Sequence, residues 1–294
     1  MQDIKSVYRP PMEEQTPILQ VTMGCSHNAC KFCGMYRNQP FSVLSDENIE
    51  NQLIELSRSG PVVQKLFLTG GDALVLSIER LEWVAQRIKH HLPQFKELTS
   101  FSRIGNISSK SDQDLIKLKA LGYNSFTIGV ESGWDDVLKR MNKGQTSQDV
   151  IEQCQRLNQL GIDYNFSLVL GIAGNLLGYE NASITAEVLN RTAPKRIDLA
   201  GLTVFQNSDL VNLVKEGHFI ESKEYEMVEE MIVLVEKLNI HTIFDASHCT
   251  VPIRISGILP EDKPPLLEAL KESLETLNEK RLRRRREKYM KLRR

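Results

Sequence analysis

The chain has 294 residues, 41% hydrophobic and 26% charged, and its 37 Lys and Arg against 38 Asp and Glu leave a formal net charge of -1. This composition excludes a disordered or fibrous chain and leaves room for a sizeable core, while the near-neutral total supplies no global field that would recruit nucleic acid or a membrane. No apolar run reaches about 18 residues, and the opening Met1-Gln2-Asp3-Ile4-Lys5 lacks the basic and apolar regions of a signal peptide, so a cytoplasmic home is expected.

Apolar runs bounded by Gly, Asn or Asp alternate with longer segments of helical period, the pattern of βα units that build a parallel sheet. In chain order this predicts six strands, over Ile18 to Met23, Lys65 to Thr69, Leu98 to Ser102, Ser125 to Val130, Tyr164 to Leu170 and Ile197 to Val204. Helices are predicted between them over Asp46 to Ser59, Ile78 to His91, Ser111 to Leu121, Ser147 to Leu160 and Tyr179 to Thr192. Ser45 and Ser111 stand where N-caps belong, and Gly122 and Gly161 follow their helices as C-caps. Six units in roughly 190 residues fall short of the about 250 that a closed eight-stranded barrel takes. The expected fold is therefore α/β, a partial (β/α)6 TIM-type barrel of parallel strands with a small C-terminal extension. Its functional residues should collect at the C-terminal ends of the strands.

Past the sixth strand the pattern predicts a helix over Glu224 to Leu238, a short strand over His241 to Phe244, an irregular stretch to Pro265 and a final helix from about Leu266. The expected domains are a core over 1–210, an extension over 211–278 that caps the barrel, and a basic tail over 279–294. That tail carries +8, so the rest of the chain carries -9. It reads first as a solvated, frayed terminus, because Tyr289 is its lone aromatic for base stacking, and second as a phosphate-binding helix for RNA.

Cys25, Cys30 and Cys33 follow the first strand with the spacing C-x4-C-x2-C. Three thiols this dense, in a chain with an odd total of 5 cysteines, argue for metal ligation over disulfides. Three soft ligands leave one coordination position open, which a 4Fe-4S cluster can offer to an exogenous molecule. Competing readings are a plant-type 2Fe-2S centre, which needs a further cysteine, a structural zinc with His27 as fourth ligand, and unligated packed thiols. Cys154, in mid-helix, reads as core.

On these residues the chain resembles the radical S-adenosylmethionine (SAM) superfamily over about residues 15 to 210, with one loop residue more than that family's commonest C-x3-C-x2-C. Phe32 matches the aromatic residue that the family places beside the adenine of SAM. Gly70-Gly71-Asp72, at the end of the second strand, resembles the Gly-Gly-Glu motif whose backbone meets the SAM amino group, with Asp72 in place of Glu. The run from Ser125 to Gly144 resembles the branch of coproporphyrinogen oxidase-like, Elp3-like and methylthiotransferase-like enzymes. The resemblance implies that Glu131, with Ser132 beside it, contacts the ribose or amino acid part of SAM and that Lys143 meets its carboxylate. Gly171, in a Gly-x-Ile-x-Gly element, and Val204, at the sixth strand's end, would flank the adenine. Read without the resemblance, Glu131 is a solvated strand end, Lys143 a surface lysine and Phe32 a packed loop residue.

What the resemblance implies as a whole is a 4Fe-4S cluster on Cys25, Cys30 and Cys33 and SAM bound at its open iron. A reductant protein of flavodoxin or ferredoxin type would supply an electron, and a 5'-deoxyadenosyl radical would abstract hydrogen from a substrate the sequence does not identify. With only Cys154 and Cys249 outside the triplet, a second three-cysteine cluster is not expected. His248 and Cys249, with Asp245 and Arg254 nearby, are candidates for substrate contact or hydrogen donation, against a reading of the same stretch as a structural cap. The alternative from another class is a non-catalytic, zinc-stabilised nucleic-acid-binding protein that uses the tail.

Overall fold

The computed structural model describes residues 8–58 and 62–292, of which 289–292 are described by backbone alone. Met1 to Lys5, Ser59, the Tyr289 side chain and residues 293–294 lie outside the described residues. In chain order the elements are β1 (Ile18–Gln20), β2 (Thr22–Met23), β3 (Ser42–Val43), α1 (Asp46–Arg58), β4 (Lys65–Thr69), α2 (Ile78–His91), β5 (Glu97–Ser102), α3 (Ile104–Ser108), α4 (Asp112–Ala120), β6 (Tyr123–Glu131), α5 (Asp135–Arg140) and α6 (Ser147–Gln159). They continue with β7 (Asp163–Leu170), α7 (Gly178–Leu189), β8 (Arg196–Gly201), α8 (Leu210–Lys215), α9 (Glu224–Lys237), β9 (Thr242–Ala246), β10 (Ile255–Leu259), α10 (Lys263–Thr276) and α11 (Glu279–Leu292). The six predicted strands are present, each followed by helix, in (β/α)6 order. They divide between two compact units: residues 1–28, 35–129 and 157–164 in one, and 29–34, 130–156 and 165–294 in the other.

In the first unit β1, β4, β5 and β6 pair in that order, all parallel. Leu66, Phe67, Leu68 and Thr69 of β4 are all buried, so this strand reads as a continuous apolar run, as expected where both faces of a parallel sheet are covered. Ser111 caps α4 in a capping box with Asp114, Ser45 accepts the Asn48 amide ahead of α1, and Gly122 and Gly161 take the left-handed backbone of C-caps. The first predicted strand is split. Beyond Gln20 the chain turns away, and Thr22 and Met23 pair antiparallel with Val43 and Ser42 in a separate ribbon. Periodicity alone does not register such a change of partner.

In the second unit β7, β8, β9 and β10 pair in order, the first three parallel and β10 antiparallel to β9. Buried residues alternate along β7 and β8, and their less buried face carries Asn165, Ser167 and Asp198. The sixth strand stops at Gly201 rather than Val204, and the turn around Thr250 occupies the space where a side chain at Gly201 would sit. The stretch expected to be irregular to Pro265 contains β10, and the helix after it starts at Lys263 rather than Leu266. Asp245 and Ser256, Phe244 and Gly257 face each other across this late hairpin.

The tail is not a frayed terminus over its described residues. It forms α11, and Arg286 is buried, its Nε 2.9 Å from Glu224 Oε1 and its guanidinium donating to the Leu202 carbonyl. Arg285 donates to the carbonyls of Val251 and Pro252 at 2.7 and 2.6 Å. The Glu279 carboxylate accepts the amides of Glu224 and Tyr225 at the start of α9. Three arginines that composition counts as surface charge have internal partners, since Arg283 also pairs with Glu221. Cys154 is buried in α6, as expected. Among the described residues, no helix is long and apolar enough to cross a membrane.

On the outside of the first unit, Glu50 of α1 accepts from Arg87 and lies 2.7 Å from His91 Nε2 on α2. The Arg87 hydrogen bonds, helped by His91, hold its carboxyl down to about 2. A depressed carboxylate adds stability above its unfolded value, and that contribution is lost as pH falls through the folded one. Thermal unfolding of Glu50→Gln should therefore lose less stability than the parent between pH 4.5 and about 2, as followed by circular dichroism. Parallel curves in that window would show the triad to be inert.

Candidate functional site

In the first unit the ends of β2 and β4 meet. Gly70 and Gly71 follow β4, and Gly70 adopts a φ of 128° that only glycine takes readily. A side chain at Gly71 would overlap the Cβ and backbone of Cys25, and the Gly71 amide donates to the Gly24 carbonyl at 2.7 Å. The two glycines thus let one loop lie flush on the other. Asp72 is fully buried, and its carboxylate accepts from the Ser26 hydroxyl, from the Ser26 amide at 3.3 Å and from Asn106 Nδ2 at 2.8 Å. The side chain that stands where the motif has Glu is therefore committed to holding the residue next to Cys25.

In the second unit the segment 29–34, with Cys30 and Cys33, is clamped through its backbone. Lys31 donates its amide to Met141 O at 2.9 Å and accepts from Leu210 N at 2.8 Å. Asn142 Nδ2 donates to Ala29 O at 3.0 Å and Asn207 Nδ2 to Gly34 O at 2.8 Å. Cys33 N donates to Cys30 O at 3.2 Å, which puts both thiols on one turn. Phe32 packs on a buried cluster that contains Val137, Met141, Ile172, Leu202 and Val204. The structure thus brings together Phe32, Val204 and the residue after Gly171, three places that sequence reasoning assigned separately to one adenine.

Glu131 closes β6 with φ 66°, a left-handed backbone that costs a non-glycine residue on the order of 1–3 kcal/mol. The fold accepts this cost at a residue whose carboxylate lies 2.9 Å from Lys143 Nζ, with the two side chains 12% and 7% exposed. Neither the solvated strand end nor the surface lysine survives this burial. Ser132 is fully buried and donates to Asn181 Oδ1 at 2.6 Å, and Asn181 Nδ2 donates to Glu230 Oε1 at 2.7 Å. Glu230 Oε2 in turn accepts the Gly171 amide at 2.7 Å. Burial pushes the Glu230 carboxyl up to about 7, against the lowering effect of those hydrogen bonds.

His248 and Cys249 lie on the turn that stands against the end of β8. His248 Nδ1 is 2.7 Å from Thr250 Oγ1, which also accepts the Gly201 amide at 2.9 Å. Asp245 pairs with Arg196 and accepts the Ser247 amide at 2.7 Å, while Arg254 is exposed. Sequence reasoning missed Asn106, Asn142, Asn181, Asn207 and Glu230. The signal present for Glu230 was its place among Met227, Met231 and Leu234 on a face of α9 that reads as apolar.

No disulfide is formed among the described residues, and the three loop cysteines are each partly exposed. Among the described residues no three His, Cys, Asp or Glu side chains are gathered as ligands of one ion. The donor set nevertheless fits an iron–sulfur cluster: three soft thiols on a loop whose backbone is pinned at both ends and whose neighbour has been trimmed to glycine at Gly71. Replacing Asp72 by Ala strips the Ser26 and Asn106 donors of their acceptor, a loss of about 1–3 kcal/mol. Asp72→Ala should lower the melting temperature and speed alkylation of Cys25 in the metal-free chain, with Asp72→Asn falling between. Unchanged labelling would detach Asp72 from the loop.

The model of the radical SAM superfamily matches residues 19–177. The heme chaperone HemW of Bacillus subtilis strain 168 is 23% identical over 225 residues, which cover 74% of this chain and 59% of that protein. The chain thus spans just under three fifths of the length of that curated relative. Among solved structures, coproporphyrinogen III oxidase HemN from Escherichia coli, described as a radical SAM enzyme, superposes with a TM-score of 0.57 at 16% identity, covering 76% of this chain and 52% of that one. Elp3 from Methanocaldococcus infernus superposes with a TM-score of 0.56 at 16% identity, covering 90% and 64%. At such identities the likeness shows the fold, an α/β partial barrel. The alternative of a zinc-stabilised nucleic-acid-binding protein finds no support in these relatives, whereas Val204, His248, Cys249 and the tail lie beyond the matched segment. Because the match runs through the cysteine loop, the glycines after β4 and the ends of β6 and β7, the chain belongs to the radical SAM superfamily, enzymes that use a 4Fe-4S cluster and SAM.

Proposed function

We propose that this chain binds a 4Fe-4S cluster through Cys25, Cys30 and Cys33 and cleaves SAM to start hydrogen abstraction from a substrate. When bound, the cluster supplies the electron that breaks the sulfonium of SAM, and the adenosyl fragment then takes a hydrogen atom from the substrate. The chain's own residues position and shield. The packing of Phe32 on the apolar cluster that includes Ile172 and Val204 is the observation that carries this reading, because a cluster drawing on the cysteine segment and two strand-end segments suits a purine.

Glu131 and Lys143 form a buried pair of opposite charges, and the amino acid end of SAM carries the complementary ammonium and carboxylate. Exchange of partners, Lys143 to the carboxylate and Glu131 to the ammonium or ribose, would orient the methionine part with little reorganisation. Gly70 and Gly71 put no side chain beside their carbonyls, the groups that would accept from that amino group, with Asp72 and Ser132 holding the surrounding loops. On this reading residues 1–210 carry the cofactor machinery, residues 211–278 cap it, and 279–294 form a separate tail. A flavodoxin- or ferredoxin-type protein is the expected electron donor. His248 and Cys249 stand as substrate contacts or hydrogen donors. Replacing both by Ala should abolish substrate turnover while SAM cleavage persists, and unchanged turnover would dismiss them.

Anaerobic reconstitution should give a brown protein with iron and sulfide that releases 5'-deoxyadenosine and methionine on reduction. Cys30→Ala and Cys33→Ala should lose the chromophore and fall to background. A colourless protein carrying one zinc and yielding no 5'-deoxyadenosine would overturn the proposal. Truncating one member of a buried charge pair costs about 2–5 kcal/mol, so Lys143→Met should raise the SAM dissociation constant at least about tenfold with the cluster retained. Equilibrium dialysis with labelled SAM measures it.

A further inference from the structure

Helix α9 carries two carboxylates one turn apart, Glu226 and Glu230, both largely buried on a helix otherwise lined by Met227, Met231 and Leu234. Each accepts a backbone amide from the segment that follows β7: Glu230 Oε2 that of Gly171 at 2.7 Å, and Glu226 Oε1 that of Leu176 at 3.0 Å. The second oxygen of Glu230 takes Asn181 Nδ2 at 2.7 Å, and Asn181 passes the connection to Ser132, whose hydroxyl also accepts the Trp134 amide at 3.0 Å. One buried carboxylate on a helix far along the chain thus reaches two strand ends of this unit, Gly171 after β7 and Ser132 beside the left-handed Glu131 after β6.

When ionised, Glu230 accepts twice and donates nothing, the Asn181 amide donates to Glu230 and accepts from Ser132, and the Gly171 amide can only donate. A network so directed favours one geometry, because a flipped Asn181 would set its Oδ1 against the Glu230 carboxylate, acceptor facing acceptor.

We propose that Glu230, through Asn181, is a positioning residue for cofactor binding: it sets the amide of Gly171 and the Glu131–Ser132 strand end relative to each other. The part of this inference that concerns SAM rests on the reading of Gly171, Glu131 and Ser132 as its contacts. The part that concerns the backbone does not.

The directionality prescribes a swap. Glu230→Gln sets an amide NH2 against a donor, and Asn181→Asp sets two carboxylates face to face. In the double variant Glu230→Gln/Asn181→Asp, the Gln amide donates to the new carboxylate while its oxygen still accepts from Gly171, and Ser132 keeps its acceptor. Amide exchange of the peptide spanning 169–177 in the metal-free chain, and SAM affinity of the reconstituted holoprotein by equilibrium dialysis, are the two readouts. Each single variant should speed exchange and raise the SAM dissociation constant about tenfold, the size of a lost buried hydrogen bond, with iron content unchanged. The double variant should return both to within about twofold of the parent.

A double variant as impaired as the worse single one, or one that does not fold, overturns the proposal. So does normal exchange in folded single variants. A parent holoprotein that binds no SAM overturns the proposed function instead, while the exchange arm still judges the network.

Discussion

Backbone groups that leave a parallel ladder at its C-terminal edge have lost their partners and must find others, since a buried amide or carbonyl left unpaired costs as much as a lost hydrogen bond. In this chain the ends of four strands, β4, β6, β7 and β8, are completed from elsewhere in the sequence. The Gly71 amide goes to Gly24, Gly133 to Thr185 Oγ1, Gly171 to Glu230 and Gly201 to Thr250 Oγ1, while the Leu202 carbonyl takes Arg286. Four of these five are glycines. At Gly71, Gly133 and Gly201 a side chain would run into a neighbouring backbone, so close approach is the reason for the residue. These strand ends are thereby fixed by groups from outside the ladder.

The same logic explains the charges. Lys143 and Glu131 are both largely withdrawn from water, and a buried pair is weak evidence for stability because desolvation offsets most of its attraction. Placing one member on a left-handed residue adds a further local cost. Such an arrangement is intelligible as preorganisation for a zwitterionic guest, in which the dipoles stand in place before the ligand arrives. The cysteine loop follows a parallel scheme: it has little regular structure, and its order comes from Asp72, Asn142 and Asn207, each spending a polar side chain on a loop group.

The C-terminal helices complete the ends of earlier elements. Helix α11 supplies Glu279 to the start of α9 and Arg286 to the end of β8, and α9 supplies Glu226 and Glu230 to the segment after β7. Among the tail's described basic side chains Arg286 is buried and Arg285 partly so, while Lys280, Arg281, Arg284 and Lys288 are exposed. The hairpin of β9 and β10 extends the order of strands beyond the six that carry the family's motifs.

Local sequence determined much. The apolar runs that became β4 to β8, the helices between them, the Ser45 and Ser111 caps and the two C-cap glycines are set by period and by the stereochemistry of single residues, which a linear reading contains. The C-x4-C-x2-C spacing and the glycines after β4 were legible for the same reason, since their chemistry is declared by residue type and interval. Three kinds of feature were not. The splitting of the first strand and the hairpin strand β10 depend on which neighbour a short segment meets. The burial of Lys143 and Arg286 depends on a distant carboxylate or carbonyl lying within reach. Asn181 looks in sequence like an ordinary polar position on a helix, Glu230 shows only as a carboxylate on an apolar face, and only the tertiary structure brings the two to strand ends. A period states which face a residue takes, whereas a hydrogen bond requires two atoms within about 3 Å, and that coincidence exists only once the chain has folded.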